Sequence, residues 1–94
     1  MSTYSIRVLL HGGEREHYTA LEKHLRAIGA LDVIMGDDGR WYQLPPGEYT
    51  MPSHLWLEAA RSTVYHIAEA ISPFPAVYVT QSAGQAWVGL RSVL

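Results

Sequence analysis

The stretch Thr3–His11, Thr-Tyr-Ser-Ile-Arg-Val-Leu-Leu-His, constrains the fold more than any other part of the chain. Side chains alternate across a strand, so Tyr4, Ile6, Val8 and Leu10 share one face and Ser5, Arg7, Leu9 and His11 the other. The first face is uniformly apolar and is expected to meet a layer of helices. The second mixes apolar and polar groups, unlike either a core or an ordinary wet surface. Gly12 and Gly13 follow at once, and a helical pattern begins behind them. A strand that passes through glycines into a helix points to a sheet with helices on one side.

The helical pattern runs from Glu14 to Ile28, with Tyr18, Leu21, Leu25 and Ile28 recurring on one face. Glu14 and Glu16 complement the dipole at its start, Glu22 and Arg26 form an i,i+4 pair, and Gly29 is placed to cap its end. Leu31–Met35 reads as a second strand. Gly36-Asp37-Asp38-Gly39 is a hairpin turn, and Arg40–Leu44 returns as a third strand. Pro45-Pro46-Gly47 has the residues of a type II turn, and Glu48–Met51 is extended. Pro52-Ser53 then resembles a helix start with Ser53 as N-cap; Leu57, Ala60, Val64, Ile67, Ala68 and Ile71 carry the helical period to Ser72. Pro73 and Pro75 end it, Ala76–Gln81 forms a fourth strand with Val77 and Val79 inward, and Ala86–Leu90 is a candidate short fifth strand.

This order predicts one α+β domain over residues 1–94, a ferredoxin-like βαββαβ fold with two helices on one face and a short C-terminal strand. Right-handed crossovers then give a four-stranded antiparallel sheet in the order 4-1-3-2. On that topology His11, His17, Asp37, Asp38 and Arg40 gather at one edge. The uncovered face carries Arg7, Leu9 and His11 from the first strand, Trp41 and Gln43 from the third, and Tyr78 and Thr80 from the fourth. Leaving such a face in water is unfavourable by roughly 25 cal/mol per Å2 of apolar area, so a second copy is expected to cover it as a homodimer. The alternative is partial cover by the segment from Ala86 to Leu94.

Composition narrows the function. A chain of 94 residues buries only about 60–65% of its unfolded surface, so its stability is small and dimerisation would help it. With 48% hydrophobic and 17% charged residues it is globular rather than disordered. The net charge of −2 and the lack of a Lys/Arg run argue against non-specific nucleic-acid binding, though not against a small local RNA contact. No cysteine is present, which removes disulfides, zinc-thiolate sites and thiol catalysis. No apolar run is long enough for a membrane span, so a cytoplasmic protein without membrane contact is expected.

The chain resembles the GhoS-like antitoxin endoribonucleases of type V toxin–antitoxin systems. The likeness lies in Tyr4-Ser5-Ile6-Arg7-Val8-Leu9-Leu10-His11 and a Tyr18-x-x-Leu21 helix ending near Gly29. It continues in Asp38-Gly39-x-x-Tyr42-x-Leu44-Pro45-x-x-Glu48-Tyr49, in Val79-Thr80 and in Trp87-x-Gly89-Leu90. It spans nearly the whole length in short pieces. It implies a ferredoxin-like fold similar to the small CRISPR-associated integration nuclease, and binding or cleavage of a membrane toxin's messenger RNA. In that nuclease an Asp able to hold a metal closes the first strand; here His11 stands in its place, so metal-dependent hydrolysis does not carry over. The Arg that family members often carry on the first helix is also unmatched, Arg26 not being equivalent.

Metal-independent RNA cleavage needs a base for the 2′-hydroxyl, an acid for the leaving oxygen and a cation for the phosphorane. His11 and His17 as acid and base, with Arg40 or Arg7 holding phosphate, meet that need. The structural alternative makes His11 a strand-end residue bonded to a carbonyl and His17 a solvated helix residue. Arg7, Trp41 and Tyr78 are the candidate contacts to single-stranded RNA, and Tyr42 and Trp87 are further rings for base stacking or for packing. His17 and His24 lie about 10 Å apart along a helix, too far to share one ion. No HExxH, GxGxxG or GxxxxGK pattern occurs, so neither a metal nor a cofactor is expected. The reading from a different class is a non-catalytic protein-interaction module that binds a protein partner on the open sheet face. A small-ligand-binding dimer is a third.

Overall fold

The computed structural model describes residues 1–93, and Leu94 lies outside the described residues. Its first strand, β1 (Ser2–Leu9), is the centre of a three-stranded antiparallel sheet. Helix α1 (Arg15–Arg26) follows, then a hairpin of β2 (Val33–Met35) and β3 (Trp41–Gln43). β4 (Glu48–Ser53), α2 (Leu57–Ile71), β5 (Ala76–Gln81) and β6 (Ser92–Val93) complete the order. Among the described residues the architecture is α+β, with two helices and two three-stranded antiparallel sheets, β4-β1-β5 and β2-β3-β6.

The alternation of β1 places its residues as expected. Tyr4, Ile6, Val8 and Leu10 are buried, together with Tyr49 and Met51 of β4, Leu21 and Leu25 of α1, and Ala60, Val64 and Ala68 of α2. Val77 and Val79 of β5 pack against the same cluster. Tyr18 ties α1 to the end of β1, its hydroxyl accepting the Leu10 N–H at 2.9 Å. Gly29, at φ +85°, closes α1 with Gly29 N–H to Arg26 O and Ala30 N–H to Leu25 O, the paired bonds of a Schellman ending.

The expected four-stranded sheet in order 4-1-3-2 is not formed as such. The place beside β1 belongs to β4, in register Ser5↔Thr50 and Arg7↔Glu48, and not to Arg40–Leu44. That segment, shortened to β3, pairs with β2 on one side and with β6 on the other. The second strand is also shorter than expected: Leu31 makes an isolated bridge to Thr50, after which the chain leaves β4 and enters the hairpin. The physical cause is the turn at Pro45-Pro46-Gly47. Glu48 N–H bonds to Pro45 O, Gly47 takes φ +79°, and Gly47 O accepts the Val8 N–H, which directs the next residues along β1.

Two further boundaries move. Ser53 is the last residue of β4, and its hydroxyl accepts the Leu55 N–H instead of capping α2, which begins at Leu57 after Trp56. The ladder from Ser2↔Ser53 to Arg7↔Glu48 outweighs the local helix-start signal. Ala86–Leu90 is no strand; the short pairing occurs later, at Ser92–Val93 against Trp41 and Tyr42.

Burial among the helices pushes the Tyr49 phenol up to about 12, with the nearby Glu22 and Asp32 carboxylates adding to the shift. A raised folded value means the neutral phenol is favoured in the fold. Its contribution is whole below the unfolded value near 10 and is lost as pH rises toward 12. Denaturant midpoints should therefore fall between those limits, and more shallowly in Tyr49→Phe, which keeps the ring and removes the titration. Equal slopes for the two proteins would show that Tyr49 does not govern the alkaline limb.

Candidate outer sheet face

The side of β4-β1-β5 away from the helices divides into a bare half and a roofed half. On the bare half, Arg7 lies between its cross-strand neighbours Glu48 and Tyr78, with Leu9 opposite Ala76. Leu9 is 51% and Tyr78 71% exposed, large apolar area for a surface position. Arg7 Nη2 reaches Glu48 Oε1 at 3.0 Å, a solvent-facing ion pair that exchanges readily with water or a ligand.

The roof is the segment that follows β5. Gln85 Nε2 donates to Ser5 Oγ at 2.8 Å and pins the segment over the sheet. Trp87 packs obliquely on Tyr42, ring centres 5.9 Å apart, which joins the segment to the β2-β3 hairpin. Between roof and sheet lies a cleft of about 480 Å3 lined by Ser5, Ile34, Glu48, Thr50, Trp87 and Leu90. The C-terminal segment thus covers part of the face, while Arg7, Leu9 and Tyr78 stay open. Ser5 was placed on this face by the alternation of the first strand, whereas Glu48 and Thr50 were not legible as lining residues because the strand identity of Glu48–Ser53 depends on its pairing with β1.

The residues expected to act together are spread differently. His11 and Gly12 form the corner of a turn in which Gly13 N–H bonds to Leu10 O and Gly12 has φ +68°, leaving the His11 ring exposed. His17 Nδ1 accepts the Glu14 N–H at 2.9 Å while the Glu14 side chain accepts the His17 N–H, a reciprocal cap on α1. His17, the candidate acid or base whose structural alternative was a solvated helix residue, is thus a capping residue, and Glu14-x-x-His17 was the signal for it. With Nδ1 an acceptor, the neutral ring carries its proton on Nε2 and can only donate from there.

Arg40 closes the hairpin turn, its carbonyl accepting the Gly36 N–H at 2.8 Å, and Trp41 opens β3 of the second sheet, so neither lies on the outer face of the first. Trp41 pairs with Val93 and is 40% exposed. Gln43 likewise turns away, its amide donating to Asp32 O at 2.9 Å. The hairpin tip meets the C-terminal segment, with Asp37 lining a cleft beside Gln85, Ala86 and Trp87. Asp38 Oδ2 accepts the Tyr42 hydroxyl at 2.5 Å; this bond, then the one from Arg40 N–H, holds the Asp38 carboxyl below its usual value. Among the described residues no hydrogen bond or ion pair links His11, His17 and Arg40, so the expected gathering at one edge is not seen as contact. Arg7 and Tyr78 are brought together; Trp41 is not.

Among the described residues there is no group of three or more His, Asp or Glu side chains placed to hold a metal ion, and no helix is long and apolar enough to cross a membrane. Comparison with protein families, with curated proteins and with solved structures gives no match.

Proposed function

We propose that the chain is an RNA-binding protein of the antitoxin endoribonuclease type that holds single-stranded RNA on the outer face of β4-β1-β5. The reading rests on one observation, the Arg7–Tyr78 neighbourhood. A base stacks on the open Tyr78 ring while the Arg7 guanidinium exchanges Glu48 for a phosphate. The cleft under Trp87 offers a second aromatic wall for a neighbouring base. The bridge of Leu31 to Thr50 on the far side of β4 supports a ferredoxin-like ancestry in which the second strand, Leu31–Met35, has been drawn into the hairpin. Cleavage assigns the base to exposed His11, the phosphate contact in the transition state to Arg40 or Arg7, and the acid to His17 as the imidazolium, which gives its Nε2 proton to the leaving oxygen and, while charged, releases the Glu14 N–H from Nδ1.

Binding of a fluorescent single-stranded RNA tests the reading. Tyr78→Ala should weaken it roughly tenfold, since a stacked base is worth ~1–3 kcal/mol. Arg7→Ala should flatten its salt dependence. His11→Ala should leave binding and thermal stability near the parent's while abolishing cleavage. RNA affinity unaffected by both Tyr78→Ala and Arg7→Ala would remove the proposal.

The open Leu9 and Tyr78, with Arg7 already neutralised by Glu48, support a second reading: a non-catalytic module that binds a protein partner on the same face. It expects no RNA affinity, and loss of a captured partner in Tyr78→Ala.

A further inference from the structure

The two edges of the main sheet are finished differently. At the β4 edge, Thr50 exchanges both backbone bonds with Leu31, and Pro52 has no N–H to offer. At the β5 edge nothing comparable occurs among the described residues, where β5 pairs with β1 alone. The register Tyr4↔Gln81 continues to Thr3 and Ser82, and Ser82 N–H bonds to Thr3 O at 2.8 Å. Hydrogen-bonded positions alternate along an antiparallel pair, so Ala76, Tyr78 and Thr80 turn their backbone groups to β1. Those of Val77, Val79 and Gln81 face outward. Natural edges are blunted by lysine, proline, a bulge or a covering segment, and Ala-Val-Tyr-Val-Thr-Gln carries neither charge nor proline.

We propose that β5 pairs antiparallel with β5 of a second copy about a two-fold axis at Val79, joining two three-stranded sheets into one of six. A self-pairing satisfies this edge because the open positions match their own reverse. Val79 meets Val79 of the second copy, and Val77 meets its Gln81. Tyr78 then stands beside Thr80 of the second copy on the outer face, which makes the exposed platform continuous across the axis.

The helix layer is complementary under the same axis. α2 borders β5, with Arg61, Tyr65 and His66 lining a groove against Pro75 and Val77. Tyr65 precedes Ile71 by about 9 Å of helix rise, and Val79 lies about 10 Å of strand beyond Ala76, so both fall near the axis. Arg61, one turn before Tyr65, therefore faces Glu69 of the second copy, one turn after it. Glu69 approaches its own His66 only at 3.9 Å and meets the Tyr65 hydroxyl at the surface, so a carboxylate oxygen remains for that pairing. The occupant that fits both edge and helix is another molecule of this chain, and the inference does not depend on RNA binding.

Sedimentation equilibrium should give twice the 10.5 kDa chain mass. Amide exchange in the parent should show Val77, Val79 and Gln81 protected as well as Tyr78 and Thr80. Arg61→Glu should raise the dimer dissociation constant roughly tenfold or more by placing like charges together, and adding Glu69→Arg should restore it. A monomer, a dimer whose Val77, Val79 and Gln81 amides exchange freely, or a dimer indifferent to Arg61→Glu would each overturn the proposal. The second of these results would place the interface on the sheet face instead of its edge.

Discussion

Leu25→Ala is expected to destabilise the protein by ~2–5 kcal/mol, the range for removing a fully buried leucine and leaving a cavity. Leu25 has no exposed surface, lies in the cluster shared by β1, α1 and α2, and its carbonyl accepts the bonds that end α1. A domain of this size has only about 5–10 kcal/mol to lose, so the urea midpoint should drop by roughly a fifth or more. Leu9→Ala is the control, since the side chain at that position is half in solvent. Its midpoint should move by less than about 0.5 kcal/mol equivalent. Similar losses for the two variants would mean that the alternation of β1 does not separate core from surface.

Gly47→Ala should be comparably damaging for a different reason. The residue sits at φ +79°, where a side chain costs ~1–2 kcal/mol, and an added Cβ would lie 2.7 Å from the Val8 carbonyl oxygen. That oxygen belongs to the central strand and cannot swing aside like a flexible side chain. The Val8 N–H to Gly47 O bond must lengthen as well. We expect a total loss of about 2–4 kcal/mol by denaturant titration. Gly39→Ala provides the contrast, with a similar φ of +78° and open space around the added carbon, and should lose about half as much. Equal losses would remove the steric part of the argument.

What could be read from the sequence was whatever local spacing decides. The burial of Tyr4, Ile6, Val8 and Leu10, the span of α1 and its glycine ending, the Pro45–Glu48 turn and the bounds of β5 all follow from neighbouring residues. What could not be read was which strand lies beside β1. Glu48–Ser53 contains a proline and has weak strand character, yet pairing on one side with β1 and on the other with Leu31 fixes it. Arg40–Leu44 looked the better strand and is claimed by its own hairpin partner. The site suffered from the same ambiguity. Arg7 and Tyr78 came together because β1 and β5 were placed correctly, whereas Trp41, Gln43 and Arg40 inherited the wrong neighbour. Val88, 95% exposed, shows the limit of alternation near the end of the chain: an apolar residue in an even pattern does not guarantee a partner strand.

The central position of β1 sets a tempo as well as a shape. Both of its flanking strands lie dozens of residues downstream, so the first productive encounter must close a long stretch of still-disordered polypeptide. Helical domains of this length collapse through near neighbours in microseconds to milliseconds, while chains dominated by distant pairings take milliseconds to seconds. Stopped-flow refolding of this protein should fall in the slower range, with α1 already partly ordered while Ile6 and Val8 are still waiting for their companions.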